Sequence, residues 1–279
     1  MNHARAASIR PPAVAGMFYP AAPDELRRTL GVLLSEAAPP AFPGTVRALV
    51  APHAGYPYSG LTAAYAYRLL EGRSIETVVI VSPSHREYFR GISIYDGDAY
   101  RTPLGDLAIA AGLRQQLVEG DAVIEASSRG HRDEHAVEVQ LPFLQSMLAT
   151  APTILPIVMG DQRTEFCRHL GTRLADVLAG QDVLLVASSD LSHYHPYDEA
   201  NLLDQSVIRS LERGDAERLM DDLASDRVEA CGGGPIATVL LASRALGADT
   251  VRILHHCNSG DMTGDRRSVV GYVSAAIVH

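Results

Sequence analysis

Seven apolar runs recur along the chain: TVRALVA (45–51), TVVIVS (77–82), ISIYD (92–96), TILPIVM (153–159), DVLLVASS (182–189), VRILHH (251–256) and VVGYVSAAIV (269–278). Short, near-continuous runs of this kind fit strands buried on both faces. Segments with helical spacing separate them, at roughly 24–36, 60–71, 104–119, 135–150, 163–179, 198–212, 214–224 and 235–246. This alternation predicts an α/β fold, a sheet covered by helices on both faces. GISIYDGDAYRTPLGDL (91–107) has the pattern of a hairpin, which makes the sheet mixed rather than all parallel. Thr102-Pro103 fits an N-cap followed by proline at the first position of the next helix. The nearest thing to a linker is AAPPAFPG (37–44), and no domain boundary is visible.

Composition removes several function classes. At 279 residues and 47% apolar the chain easily supplies a core, and its net charge of −9 comes without a basic cluster in the sequence. That argues against nucleic acid and anionic membrane as partners. No apolar stretch approaches the ~20 residues needed to span a bilayer. The N-terminus carries arginines but no apolar signal core, so a cytoplasmic protein is expected. Lysine is absent, all 24 basic residues being arginine, which excludes Schiff-base catalysis, pyridoxal-phosphate attachment and a Walker A lysine. Three cysteines (Cys167, Cys231, Cys257) without a CxxC pair form no disulfide framework.

Histidine is abundant, at eleven residues, and it keeps phase with the strands. PHAGY (52–56), SPSHREY (82–88), SSDLSHYH (188–195) and HHCNSGD (255–261) each adjoin an apolar run. Loops after strands are where α/β proteins hold their chemistry. His53 and His85 stand in proline-bounded turns with small neighbours, and imidazole is a common ligand for Zn, Cu and Fe. An open catalytic site needs a third protein ligand. Cys231, in EACGGGPIA ahead of a helix start, can supply it, or be a small buried apolar residue, or a nucleophile. Asp190 and His193 offer an acid/base pair, or alternatively a turn with a capping aspartate. HRDEHAVEVQLPF (131–143) predicts a helix start with Asp133 and Glu134 in its first turn and Val137, Leu141 and Leu144 on its apolar face. His135 and Glu138, three apart, either point together into the site or only solvate that helix. Cys167 reads as core, and Cys257, His255 and His256 as strand-end packing or further site residues.

The motifs RPPAVAGMFYP (10–20), APHAGYPYSG (51–60), SPSH (82–85), YRTPLGDL (100–107), DEHAVEVQLPFLQ (133–145), SSDLSHY (188–194), ACGGGPI (230–236) and NSGDMTGD (258–265) together resemble the Memo-like family, called AmmeMemoRadiSam system protein B in prokaryotes. That family is similar in fold to the class III extradiol (LigB-type) dioxygenases. The resemblance implies a single three-layer α/β/α domain over residues 1–279, with residues 1–9 a flexible tail. It implies a metal pocket of His53, His85 and Cys231, with Asp190 and His193 lining it; the residues themselves add the expectation of catalytic roles for His193, as a base oriented by Asp190, and for His135. Cys231 stands where the dioxygenases carry a carboxylate, and a thiolate shifts preference toward Cu or Zn. The leading expectation is an Fe(II)- or Cu-dependent oxidoreductase acting on a chelating small molecule. The alternative is a non-catalytic metal- or partner-binding module acting with a radical SAM protein and an AMMECR-type domain. A hydrolase using zinc-activated water would need the same ligands.

Overall fold

The apolar runs become the strands of one large sheet because their alternate side chains bury on opposite faces. The structure, a computed structural model, describes residues 7–279. Its strands are β1 (Ile9–Arg10), β2 (Val46–Ala51), β3 (Thr77–Pro83), β4 (Ile92–Ile94), β5 (Ala99–Thr102), β6 (Gly105–Ala108), β7 (Ile124–Ala126), β8 (Thr153–Met159), β9 (Val183–Ser188), β10 (His193–His195), β11 (Thr250–Asn258) and β12 (Val269–Val278). Its helices are α1 (Pro23–Glu36), α2 (Tyr56–Tyr67), α3 (Ala111–Val118), α4 (Leu141–Met147), α5 (Thr164–Leu178), α6 (Tyr197–Glu212), α7 (Ala216–Ala224), α8 (Gly233–Ala245) and α9 (Ser259–Thr263).

Nine strands form the main sheet, in the order β10-β12-β2-β9-β3-β8-β4-β7, with β11 paired to β12. The centre, β2-β9-β3-β8, is parallel; β12 runs antiparallel to β2 and β4 antiparallel to β8. The sheet is therefore mixed, as the sequence predicts. Along β2, Ala48 and Val50 pack with α5 and α8 on one face, while Leu49 and Ala51 pack with α1, α2 and α4 on the other. This period of two, repeated along β3, β8 and β9, yields two apolar layers against one sheet. Among the described residues, no helix is long and apolar enough to cross a membrane.

Three expectations change. The segment at 99–108 is a hairpin, β5–β6, which joins β1 in a separate three-stranded sheet, while β4 pairs elsewhere, with β8. Thr102 is not a helix cap: its hydroxyl accepts from Leu104 N–H in the hairpin turn, and Gly105 takes φ +126°, which side chains rarely adopt. The helix of that region starts only at Ala111. Second, residues 133–137 are not helical. A 3-10 turn (Glu138–Gln140) leads into α4, because Glu134 turns inward to take backbone N–H groups rather than lying on a solvated first turn. Val137, Leu141 and Leu144 are nonetheless buried as predicted. Third, the expected tail 1–9 is shorter. Ser8 N–H donates to Asp98 Oδ2 and Ile9 pairs with Ala99; residues 1–6 of that tail lie outside the described residues.

The motif RPPAVAGMFYP is anchored by charge. Arg10, buried against the Tyr100 ring, pairs with buried Glu138 and donates to the carbonyls of His131 and Glu134. Glu138 also accepts from Ala13 N–H, Val14 N–H and the Tyr19 hydroxyl. Removing one partner of such a pair leaves an uncompensated buried charge. Glu138→Ala is expected to lower unfolding stability by about 3–5 kcal/mol in urea titrations, and Arg10→Met with Glu138→Leu to recover most of that loss.

Candidate metal centre

Parallel register decides which residues meet. Ala51 of β2 lies opposite Ser188 of β9, and Val81 of β3 opposite Ala187. His53, His85 and Asp190 each stand two residues past the end of one of these three neighbouring strands. They therefore emerge side by side at the carboxyl edge of the parallel sheet. The His53 backbone N–H donates to Asp190 Oδ1 at 2.7 Å, tying two of the loops together.

His53 is buried, and its proton can be placed. The Ser188 hydroxyl gives its hydrogen to the Ala136 carbonyl at 2.7 Å, so it accepts from His53 Nδ1 at 2.9 Å. Gln140 Nε2 donates to the same hydroxyl at 2.8 Å and to the Pro52 carbonyl at 3.0 Å. His53 Nε2 is thus left as a bare lone pair. Burial, reinforced by His85, holds the ring neutral, its pKa well below the usual imidazole value.

His85 is oriented by Glu134. The carboxylate accepts His85 N–H at 2.6 Å and His85 Nδ1–H at 2.9 Å, so its Nε2 is turned away from Glu134. Burial alone would raise the pKa of Glu134. The hydrogen bond and charge of His85, with His135 adding, overcome it and bring the value to about 2. A carboxylate behind an imidazole is the usual support of a metal-bound histidine. His135 completes a cluster: the ligand atoms of His53, His85 and His135 all lie within 4.8 Å of one another. Its pKa is drawn down to about 4, by burial first and by His53 second. Its Nδ1 is buried without a hydrogen-bond partner, 3.3 Å from Glu134. Two ring N–H groups turned away from the cluster, His53 toward Ser188 and His85 toward Glu134, and an orphaned ring nitrogen on His135 fit a transition-metal ion.

Cys231 reaches this group through His53. Its Sγ lies 3.1 Å from His53 Nε2, and the Asp190 backbone N–H donates to it at 3.3 Å. Burial, then the charge of Asp190, push the thiol well above its ordinary pKa, so S–H donates to the bare Nε2. Gly232 permits this approach, since a Cβ there would meet the Ser188 carbonyl at 2.2 Å.

A cleft of 660 Å³ opens above the cluster, lined by His53, His85, His135, Asp190 and His193, with aromatic walls at Phe18, Tyr58 and Tyr272. His193 Nδ1 donates to the Leu191 carbonyl at 2.8 Å, leaving Nε2 as an acceptor. This corrects the expected orientation by Asp190, whose Oδ1 is engaged by His53 N–H. Asp190 is buried, and burial raises its pKa against the opposing His53 hydrogen bond. Glu138 does not enter the site, being committed to Arg10. His255 and Cys257 lie within β11, not past it, and both contact Thr62 Oγ1; His256 faces Asp204, and none of the three lines the cleft. Cys167 is core, as expected. Glu134 and Ser188 were legible only as a helix start and a strand end. The pairing of Glu134 with His85 spans 49 positions and has no local signature.

The family model for Memo-like protein matches residues 10–276. A MEMO1 family protein of Methanopyrus kandleri is 37% identical over 279 residues, covering 96% of this chain and 98% of its own. One from Methanosarcina barkeri is 38% identical over 281 residues, covering 97% and 99%. The crystal structure of an uncharacterized protein from Escherichia coli K12 aligns with TM-score 0.58 at 19% identity, covering 84% of this chain and 100% of that one, a likeness of fold alone.

Glu134→Ala is expected to lower metal affinity by about 10–100-fold in competition titrations, while leaving His53, His85 and His135 in place.

Proposed function

The chain belongs to the Memo-like protein family, and from that premise we propose that it is a metal-dependent oxidoreductase with Fe(II) held by His53, His85 and Cys231. The observation that carries this reading is the bare Nε2 of His53, which faces the Cys231 sulfur at 3.1 Å below an open cleft. An ion on that nitrogen, at a bond of about 2.0–2.1 Å, comes within reach of the sulfur. Cys231 is not among the residues that line the cleft, so as a ligand it would leave the cleft side to the substrate. His135 lines the cleft and remains available to the substrate. When bound, the metal supplies Lewis acidity and coordination positions for a chelating, hydroxylated substrate.

The protein's own groups do the rest. His193 Nε2 accepts the proton of a substrate hydroxyl, its ring held by the Leu191 carbonyl. Asp190, in the same cleft, offsets the imidazolium charge that results. Phe18, Tyr58 and Tyr272 give a planar substrate apolar walls and keep water from it. A second reading, a metal-holding module that docks a radical SAM protein or an AMMECR-type domain, draws support from the exposed rim residues Met17 (70%) and Tyr194 (76%).

Elemental analysis after anaerobic reconstitution with Fe(II) is expected to find Fe bound, lost on His53→Ala and on Cys231→Ala and kept on His135→Ala. The reverse result for the last two moves the third ligand to His135. No metal held more tightly than by the His53→Ala/His85→Ala/Cys231→Ala variant ends the proposal. His193→Gln is expected to keep the metal and lose about 10²–10⁴-fold in substrate-dependent oxygen consumption. Metal loading without turnover, together with co-elution of a partner, favours the second reading.

A further inference from the structure

The linear sequence shows no basic cluster, yet folding assembles one. Four arginines, Arg209 of α6, Arg213 at its C-cap, Arg218 of α7 and Arg227 of the loop that follows, line one groove of 590 Å³. Two aspartates share it, Asp215 and Asp222, so the groove carries an excess of two positive charges on a chain of net charge −9. Its lining residues are separate from those of the cleft above the histidines.

The guanidinium groups are held ready. Asp222, with 9% of its side chain exposed, accepts Arg218 Nε at 2.7 Å on one oxygen and Arg227 Nε at 2.7 Å on the other. One carboxylate therefore orients two forks whose own side chains are 60% and 53% exposed. Asp215 is occupied as the N-cap of α7, accepting Arg218 N–H at 3.0 Å. Arg209 is steadied by the Ser206 hydroxyl at 2.8 Å. Among the described residues, neither Arg209 nor Arg213 has a carboxylate within ion-pair distance, and the two stand four positions apart across the last turn and C-cap of α6. Repulsion between like charges at that spacing is unfavourable, and an anion between them relieves it.

We propose that this groove binds a small molecule bearing a diphosphate. Planar guanidinium forks match phosphate oxygens in bidentate fashion, and preset forks lose less entropy on binding. The volume suits a ligand of nucleotide size, and four guanidinium forks in one groove offer more donor pairs than the three terminal oxygens of one phosphate group can meet in bidentate fashion, which favours a diphosphate. An extended nucleic acid is disfavoured, since the arginines fill one groove and the chain as a whole is acidic.

The test is titration calorimetry on the protein as purified, with inorganic pyrophosphate, ADP and inorganic phosphate as probes. Pyrophosphate and ADP are expected to bind at least about tenfold more tightly than phosphate, and to weaken with added salt. Arg209→Ser with Arg213→Ser, both exposed and outside the core, is expected to reduce that affinity at least about tenfold while circular dichroism stays unchanged. His53→Ala is expected to leave it unchanged, which separates the groove from the metal centre. Tighter binding of ADP than of pyrophosphate assigns the groove to a nucleotide, and equal binding assigns it to the diphosphate alone. The proposal is overturned if pyrophosphate at millimolar concentration gives no binding, or if the double arginine variant binds it unchanged. It is equally overturned if His53→Ala abolishes binding, or if a single-stranded oligonucleotide binds more tightly than pyrophosphate.

Discussion

The register of β2, β9 and β3 is the constraint on which the rest depends. Parallel strands in register end together, so residues equally far past their ends become neighbours however distant in sequence. His53 and Asp190 are 137 positions apart and share a hydrogen bond of 2.7 Å. The period of two fixes the remainder. A slip of one residue in β2 would exchange Leu49 and Ala51 with Ala48 and Val50, inverting both apolar layers. The two cores therefore hold the register, and the register holds the site.

Beneath the site the polar groups form a closed account. Tyr67 hydroxyl donates to Gln140 Oε1 at 2.8 Å, Gln140 Nε2 donates to Pro52 O and Ser188 Oγ, and Ser188 passes its hydrogen to Ala136. Each donor in that chain has one acceptor demanding it, so His53 has a single tautomer. A hydroxyl with its hydrogen free to swing would leave the choice of ring nitrogen open. Here the backbone carbonyls of Pro52 and Ala136, fixed by the fold, decide the chemistry of a side chain several ångströms away.

The sequence made the sheet, its mixed character and most helices legible, because continuous apolar runs and 3.6-residue spacing are local signals. Helices α5, α6 and α8 fall within two residues of the expected limits. What failed were segments whose conformation is set by distant partners. DEHAVEVQ has the composition of a helix start, but Glu134 is claimed by His85 and Glu138 by Arg10, distant partners that the local sequence does not show. YRTPLGDL likewise reads as capped helix until β1 pairs with β5. At the site, strand-end position revealed His53, His85 and Asp190. The supporting groups, Ser188, Gln140 and the Leu191 carbonyl, stayed hidden, since ordinary residues become specific only through where they are held.

Charge balance gives the strongest reason for a cation at the centre. Glu134 is ionised at any ordinary pH, and its nearest partners, His85 and His135, include no permanently charged group. Arg10, though close enough to donate to the Glu134 carbonyl, spends its charge on Glu138. Asp190 adds a second buried carboxyl, its pKa raised by burial against the opposing His53 hydrogen bond. Buried carboxylates are tolerated when paired, hydrogen-bonded or set against a metal. Here hydrogen bonds are plentiful and opposite charge is lacking, while His53 is kept neutral by its surroundings. Protonating the imidazoles would supply charge only by consuming the lone pairs that the network under His53 and the carboxylate behind His85 are arranged to expose. A cation held there would supply the charge and use those lone pairs at once.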